Sequence, residues 1–264
     1  ERESDMERYN DYLWKMFGVD GRVAVVTGAS RGLGQSMSVA LGRAGARLCL
    51  VGRQPNLDRT REMLEGFGCE CIEVVCDQKT TEGVRQIIDA ALGKWGRIDI
   101  LVNNAGTFIR KPCAEWTDED WDTVMNLNLR SVFLMCREIG KIMIAQGKGK
   151  IINISSILGF QGGLLNPAYT SSRHGVLGLT KSLANEWAPL GVNVNAIAPG
   201  YMDTDQNIDL FKDPVRSKEL MARIPAKRWG YKNELDGACL FLASDASSYM
   251  HGQVIVVDGG WMGR

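Results

Sequence analysis

The sequence predicts a single α/β domain, a doubly wound seven-stranded parallel sheet with helices on both faces. Three features point to it. Apolar runs of strand length alternate with helix-period segments along the whole chain. Those runs carry near-continuous Val, Ile and Leu, the content of strands buried on both sides by crossover helices. The first of them leads into a helix through a glycine-rich turn.

The predicted strands lie at 22–27, 47–51, 71–75, 98–103, 150–155, 192–198 and 254–258. Between them, apolar residues at helical spacing predict helices over 35–44, 57–67, 81–95, 118–146, 168–188 and 233–243. One long connection, 200–231, breaks the alternation and includes a short amphipathic piece around 215–223. Loops of that length in compact domains are usually lids or binding segments, so substrate contacts are expected there. Residues 1–18 read as an amphipathic extension and 19–264 as the domain, with no repeat, low-complexity tract or linker to mark a second one.

The 264 residues fit one α/β unit, and 45% hydrophobic content supplies a sizeable core without staples. Lys plus Arg and Asp plus Glu both total 31, which leaves no net field to favour nucleic acid or an anionic membrane. No apolar run reaches the roughly 18 residues needed to span a bilayer, and the charged start is unlike a signal peptide. Seven cysteines, an odd number scattered through apolar stretches, read as reduced thiols of a cytoplasmic protein. Cys69, Cys71 and Cys76 alternate with Ile72, Val74 and Val75 as strand residues do and have no nearby His, so no metal is expected.

After the first predicted strand comes Thr27-Gly28-Ala29-Ser30-Arg31-Gly32-Leu33-Gly34 and then a helix pattern. Glycines at such a turn let the backbone approach a pyrophosphate, whose charge meets the N–H groups and positive dipole end of the helix. This is a Rossmann-like arrangement, with G-x-x-x-G-x-G spacing in place of the common G-x-G-x-x-G. At the end of the second strand, about 20 residues on, NAD enzymes usually offer a carboxylate to the ribose hydroxyls. Here the chain reads Leu50-Val51-Gly52-Arg53. With no acid there, and with Arg53 and Arg31 able to meet a 2′-phosphate, NADP(H) is preferred over NAD(H), which stays possible. The run Asn103-Asn104-Ala105-Gly106 follows the fourth strand at its carboxyl end, where open α/β sheets bind ligands; a turn held by Asn hydrogen bonds is the other role open to it.

The glycine turn, this Asn-Asn-Ala-Gly run, Ser156 after the fifth strand and Tyr169 thirteen residues later together resemble the short-chain dehydrogenase/reductase family, over nearly the whole chain from about Gly21 onward. Phe160-Gln161-Gly162-Gly163, Ala198-Pro199-Gly200-Tyr201-Met202, Arg223-Ile224-Pro225-Ala226, Arg228-Trp229-Gly230 and Asp258-Gly259-Gly260-Trp261 carry a closer likeness to its sugar-acid dehydrogenases, the 2-dehydro-3-deoxygluconate 5-dehydrogenase and gluconate 5-dehydrogenase group. The resemblance implies an oxidoreductase that moves a hydride between nicotinamide and a carbonyl or alcohol carbon of a small molecule, assembled as a homotetramer. It places Gly28, Ser30, Arg31, Gly32, Leu33, Gly34 and Arg53 around the cofactor, Asp77 against the adenine, and Asn103, Ala105 and Gly106 along the cleft. Pro199, Gly200 and Thr204 fall near the nicotinamide amide.

By the same resemblance Asn128, Ser156, Tyr169 and Arg173 are the catalytic set, with Tyr169 and Arg173 also touching the cofactor. A phenol ionises near pH 10, so work near neutrality needs a cation close by, at about 1.4 kcal/mol for each pH unit. The family supplies a lysine four residues after the tyrosine, on the same helix face. Here Arg173 stands there: it keeps the charge but cannot release a proton, and its planar fork fills space differently. Ser156 would polarise the substrate oxygen, with Ser155 as a strand-end cap, and Asn128 would kink the long helix and hold a relay water. Substrate contacts are expected within 107–110, 158–161, 164–166 and 201–223. Apolar residues on 118–146, including Val132, Phe133, Met135, Ile139, Ile142 and Met143, cover a wide arc that serves either the sheet or another subunit. Two other classes stay open: an NADP-binding protein with little turnover, motivated by Arg173, and a lyase or epimerase that uses nicotinamide transiently.

Overall fold

The computed structural model describes residues 2–263, apart from the side chains of residues 2–9, 206, 209 and 211. The chain runs α1 (Arg2–Phe17), β1 (Val23–Thr27), α2 (Gly32–Arg43), β2 (Arg47–Gly52), α3 (Asp58–Glu65), β3 (Cys71–Val75), α4 (Thr81–Trp95) and β4 (Ile100–Asn103). It continues with α5 (Asp118–Met125), α6 (Ser131–Gln146), β5 (Gly149–Ile154), α7 (Pro167–Trp187), β6 (Val192–Pro199) and β7 (Met202–Asp203). The last elements are α8 (Ile208–Lys212), α9 (Pro214–Arg223), β8 (Gly230–Tyr231), α10 (Asp236–Ala243) and β9 (Val254–Val257). All seven expected strands are present, within one or two residues of their predicted ends.

The seven strands pair in parallel in the order β3-β2-β1-β4-β5-β6-β9, so the chain reverses direction across the sheet between β1 and β4. Successive strand side chains alternate between faces, and the core divides accordingly. Val25, Cys49, Val51, Leu101, Ile151, Val192 and Val194 pack beneath Val84, Ile87, Met135, Ile139, Val176 and Trp187 of α4, α6 and α7. Ala24, Val26, Leu48, Leu50, Ile100, Val102, Ile152 and Ile197 face Met37, Leu41, Leu64, Cys239 and Leu242 of α2, α3 and α10. Each fully buried aliphatic side chain contributes about 1.5–3 kcal/mol. The sheet is therefore a rigid platform, and its carboxyl edge carries the turns at 28–32, 104–110, 155–166 and 200 onward.

Two expectations are refined. The segment 118–146 is one rod in direction but not in winding, because a π-helical turn at Asn126–Arg130 separates α5 from α6. The cause is Asn128, which is fully buried: its side chain accepts the Thr107 N–H at 2.8 Å and donates to the Thr107 carbonyl at 2.8 Å, pairing with a neighbouring loop. The connection 200–231 is also far from structureless. It holds α8, α9 and the parallel β7–β8 pair, packed over a third core of Ile157, Leu210, Leu220, Ile224, Trp229 and Trp261. Most of the wide apolar arc on α6 covers the sheet, since Val132, Met135, Ile139 and Met143 are buried in the core; Phe133 remains exposed. The cysteines are all free thiols, and burial pushes those of Cys49 and Cys136 up to about 12.

Candidate functional site

Where the sheet order reverses, the carboxyl ends of β1 and β4 splay apart and open a cleft of about 420 Å³. Gly28, Ser30, Arg31, Gly32, Leu33, Arg53, Asp77, Ala105, Gly106 and Thr204 all line it. Gly28 and Gly32 take φ of +66° and +57°, a region that strains any side chain. Gly34 is required for another reason: a Cβ there would overlap the Gly28 carbonyl and sit 2.5 Å from Asn104 Nδ2, so the helix could not lie against the turn. The N-terminus of α2 faces the cleft, with an extended Arg31 as its N-cap residue, no side-chain cap and no acid in its first turn. Arg31 lies 3.8 Å from Asp205, across the mouth of the cleft.

The floor is locked by polar bonds between the two splayed strands. Thr27 Oγ1 accepts the Asn104 and Ala105 N–H groups, each at 3.0 Å, and Asn104 Nδ2 donates back to the carbonyls of Thr27 and Gly28. Asn103, expected in the cleft, turns its side chain the other way. It is 2% exposed and donates to Asn153 Oδ1 at 2.9 Å and to Cys136 Sγ, knitting β4 to β5 inside the core. The reason is alternation: Asn103 ends the strand pointing into the α6 side, and Asn104, one residue on, faces the cleft. Gln54, Asn56 and Lys79 also line the cleft beside Arg53; their scatter along the chain gave no motif to single them out. Asp77 is held there by the Lys79 backbone N–H at 3.0 Å and by its ammonium at 3.4 Å.

An inner pocket of about 110 Å³ continues from this cleft, sharing Leu33, Asn104, Gly106 and Thr204 with it. Ser156, Tyr169, Arg173, Pro199 and Gly200 converge on it. Ser156 leaves β5 in extended conformation, and its Oγ accepts the Leu158 N–H at 3.1 Å, a bond that does not use the hydroxyl proton. Tyr169 and Arg173 are one turn apart on α7. The guanidinium carbon of Arg173 lies 4.9 Å from the centre of the Tyr169 ring, and Nη1 donates to the Ile154 carbonyl at 2.9 Å. Only 5% of Arg173 is exposed, its Nε has no hydrogen-bond partner among the described residues, and a Cβ on Gly106 would overlap Nη2. Ser155, as expected of a strand-end cap, donates to the Arg173 carbonyl at 2.9 Å. Asn128 stays behind this layer, bonded to Thr107 and, through Nδ2, to Ser172 Oγ at 3.3 Å.

The outer wall is aromatic and basic. Phe108 meets the Tyr169 ring edge-on with centroids 6.2 Å apart, and Arg110 stacks on Phe108 at 4.9 Å. Tyr201 is wedged between Trp229 at 5.6 Å and Trp261 at 4.9 Å. Burial pushes the Tyr201 phenol up, while the charges of Arg110, Arg216 and Arg223 pull it down and Tyr169 adds a small push upward. Of the expected substrate segments, Leu158, Asn166 and Tyr201 reach the pocket, whereas Gln161 and Leu164 do not line it. Trp229 and Trp261, far apart in sequence, were not expected as its supports. A roomier groove of about 750 Å³ lies between α1, α2 and α10, lined by Leu13, Trp14, Phe17 and Leu240 together with Arg43, Lys232 and Asp236.

A family model described as enoyl-(acyl carrier protein) reductase matches residues 28–262. The 2-dehydro-3-deoxy-D-gluconate 5-dehydrogenase of Escherichia coli (strain K12) is 47% identical over 249 residues, covering 94% of this chain and 98% of that protein. The corresponding enzyme of Bacillus subtilis (strain 168) is 43% identical over 253 residues, 96% of this chain and 99% of its own. Among solved structures, a gluconate 5-dehydrogenase from Burkholderia cenocepacia J2315 in complex with NADP and tartrate superposes with a TM-score of 0.90 at 37% identity, covering 96% of this chain and 99% of that one.

Proposed function

This chain belongs to the short-chain dehydrogenase/reductase family, and on that premise we propose that it is an NADP(H)-dependent oxidoreductase interconverting a carbonyl and a secondary alcohol of a sugar acid. One observation carries the reading: Ser156, Tyr169 and Arg173 converge where the nucleotide cleft opens into the inner pocket. The residues present fit the cofactor. An uncapped helix N-terminus without acids suits a pyrophosphate, and Arg31, Arg53 and Lys79 give the far end cationic donors for a 2′-phosphate. When bound, NADP(H) supplies or accepts the hydride.

The chain's own residues supply the rest. Gly28, Gly32 and the first N–H groups of α2 hold the pyrophosphate, and Ala105 and Gly106 keep the cleft floor close and flat. Ser156, whose hydroxyl proton is unused, hydrogen-bonds to the substrate oxygen and polarises it without giving up that proton. Tyr169 gives that oxygen a proton in reduction and removes it in oxidation. Arg173, buried and permanently charged, packs against the Tyr169 ring and keeps a cation beside the atoms where negative charge develops. Asn128 acts from behind, fixing the Thr107 backbone. The family and the partly exposed α6 face support a homotetramer, and the free thiols a cytoplasmic setting.

The test is a panel of keto-sugar acids and neutral ketones with NADPH and with NADH, following loss of the reduced cofactor. Turnover with NADPH on keto-sugar acids supports the reading; inactivity on the whole panel, or a clear preference for NADH, counts against it. A second reading, a binding protein with little turnover, is favoured by the arginine whose Nη1 is tied to Ile154 and whose guanidinium cannot relay a proton. Arg173→Lys separates the two: an enzyme retuned to arginine turns over before the substitution, whereas a binding protein does so only after it or not at all.

A further inference from the structure

The inner pocket has a polarity that the oxidoreductase reading alone does not require. Among its lining residues the charged side chains are Arg110 and Arg173, and there is no Asp or Glu. The positive character extends into α9. Arg216 and Arg223 are seven residues apart, almost eclipsed after two helical turns, and run alongside the stripe of Ser217, Leu220 and Ile224 that is buried. Leu220 and Ile224 belong to the same small core as Ile157, Trp229 and Trp261, so this stripe anchors the helix over the pocket. Arg223 stacks on the Trp261 ring at 4.1 Å, and the other contact of that ring is Tyr201, which lines the pocket. Burial raises the Tyr201 phenol, and Arg110, Arg216 and Arg223 pull it back down.

We propose that Tyr201 and Arg223 hold the carboxylate of the substrate, making the end of α9 the element that selects an acid over a neutral sugar. The inference rests on the sugar-acid oxidoreductase reading above and adds the determinant of its specificity. A carboxylate is the fitting ligand because guanidinium forks match its two oxygens, and a phenol held by two indoles presents one well-placed donor. Removal of a neutralising partner from a partly buried anion weakens ground-state and transition-state binding alike, so the cost falls on KM more than on kcat.

The experiment compares a keto-sugar acid with the neutral keto-sugar of the same carbon number, using the full chain and NADPH. Arg223→Gln and Tyr201→Phe are expected to raise KM for the acid, by about tenfold for the arginine, with kcat within about threefold. Arg223→Gln leaves KM for the neutral analogue and the affinity for NADPH unchanged, and Arg223→Lys, which keeps the charge but not the fork, recovers only part of the loss. Equal losses on acid and neutral substrates, or none on the acid, overturn the proposal. So does an unsubstituted chain that reduces the neutral analogue as efficiently as the acid, a result that leaves the oxidoreductase reading standing. Inactivity on both substrates overturns that reading and this proposal together.

Discussion

The glycine turn that faces the nucleotide is built from backbone, and the half of the cleft that faces the substrate from side chains. On the nucleotide side, Gly28, Gly32 and Gly34 act through what they lack, letting α2 close against the turn while Thr27 and Asn104 lock the floor. On the substrate side, Phe108, Arg110, Tyr201, Trp229 and Trp261 come from four separate stretches and are held by ring stacking and a small core of their own. The difference teaches where each part can vary. A backbone site tolerates almost no substitution, because added atoms collide with main chain or strain a positive φ; a side-chain wall can be re-specified one residue at a time.

Perturbation should expose that contrast in graded order. The largest effect is expected between the two halves, at the proposed reacting groups: Tyr169→Phe removes the proposed proton donor and should lower kcat by about 10²–10⁴-fold, with NADPH affinity retained, as measured by cofactor fluorescence and steady-state rates. Next, Gly34→Ala drives a methyl into the Gly28 carbonyl. It should weaken NADPH binding at least tenfold and lower stability by about 1–3 kcal/mol, read by titration and denaturant unfolding. Arg53→Asp should act on the nucleotide side alone, weakening NADPH by roughly 1–2 kcal/mol while NADH improves, so that the ratio of the two kcat/KM values reverses. A comparable loss with both cofactors would mean that Arg53 does not meet a 2′-phosphate.

The smallest effect lies at the opposite end of the sheet and serves as a control on both halves. Lys150 is 3% exposed, with Nζ 3.2 Å from Ser247 Oγ; burial pushes its pKa down to about 8, opposed by Asp245 and assisted by Arg22 and Lys148. An unfolded lysine ionises near its ordinary value of about 10.4, so between about pH 8 and that value the unfolded chain binds more protons than the folded one. The contribution of Lys150 to stability therefore rises with pH through this window. Lys150→Met should flatten that rise and stabilise the protein near neutrality by on the order of 1 kcal/mol, with kcat and KM unchanged. An unaltered pH slope in thermal unfolding would show that the ammonium is not penalised by its burial.

The contrast between the halves also explains what could be read from the chain. The strands were legible because both faces are buried and Val, Ile and Leu run nearly unbroken. The nucleotide turn was legible because backbone requirements write themselves as glycines at fixed spacing. Asn103 and Asn104 show the limit: the pair marks the place, yet which side chain faces the cleft depends on where β4 ends, a matter of one residue. The resemblance marked Asn128 as the point where the long helix departs from regular winding, but not its pairing with Thr107, 21 residues away, that accompanies the π turn at Asn126–Arg130. The tryptophan supports of Tyr201 were hidden, because only the tertiary fold brings residues 201, 229 and 261 together.

The most direct test of the central claim uses NADPH deuterated at the transferring face of C4, with a keto-sugar acid, and follows the label by mass spectrometry. The account predicts one deuterium on the new carbinol carbon for each NADPH consumed, and loss of that transfer in Tyr169→Phe. An altered substrate that carries no label while NADPH stays constant would contradict it, as would bound NADPH that is never oxidised.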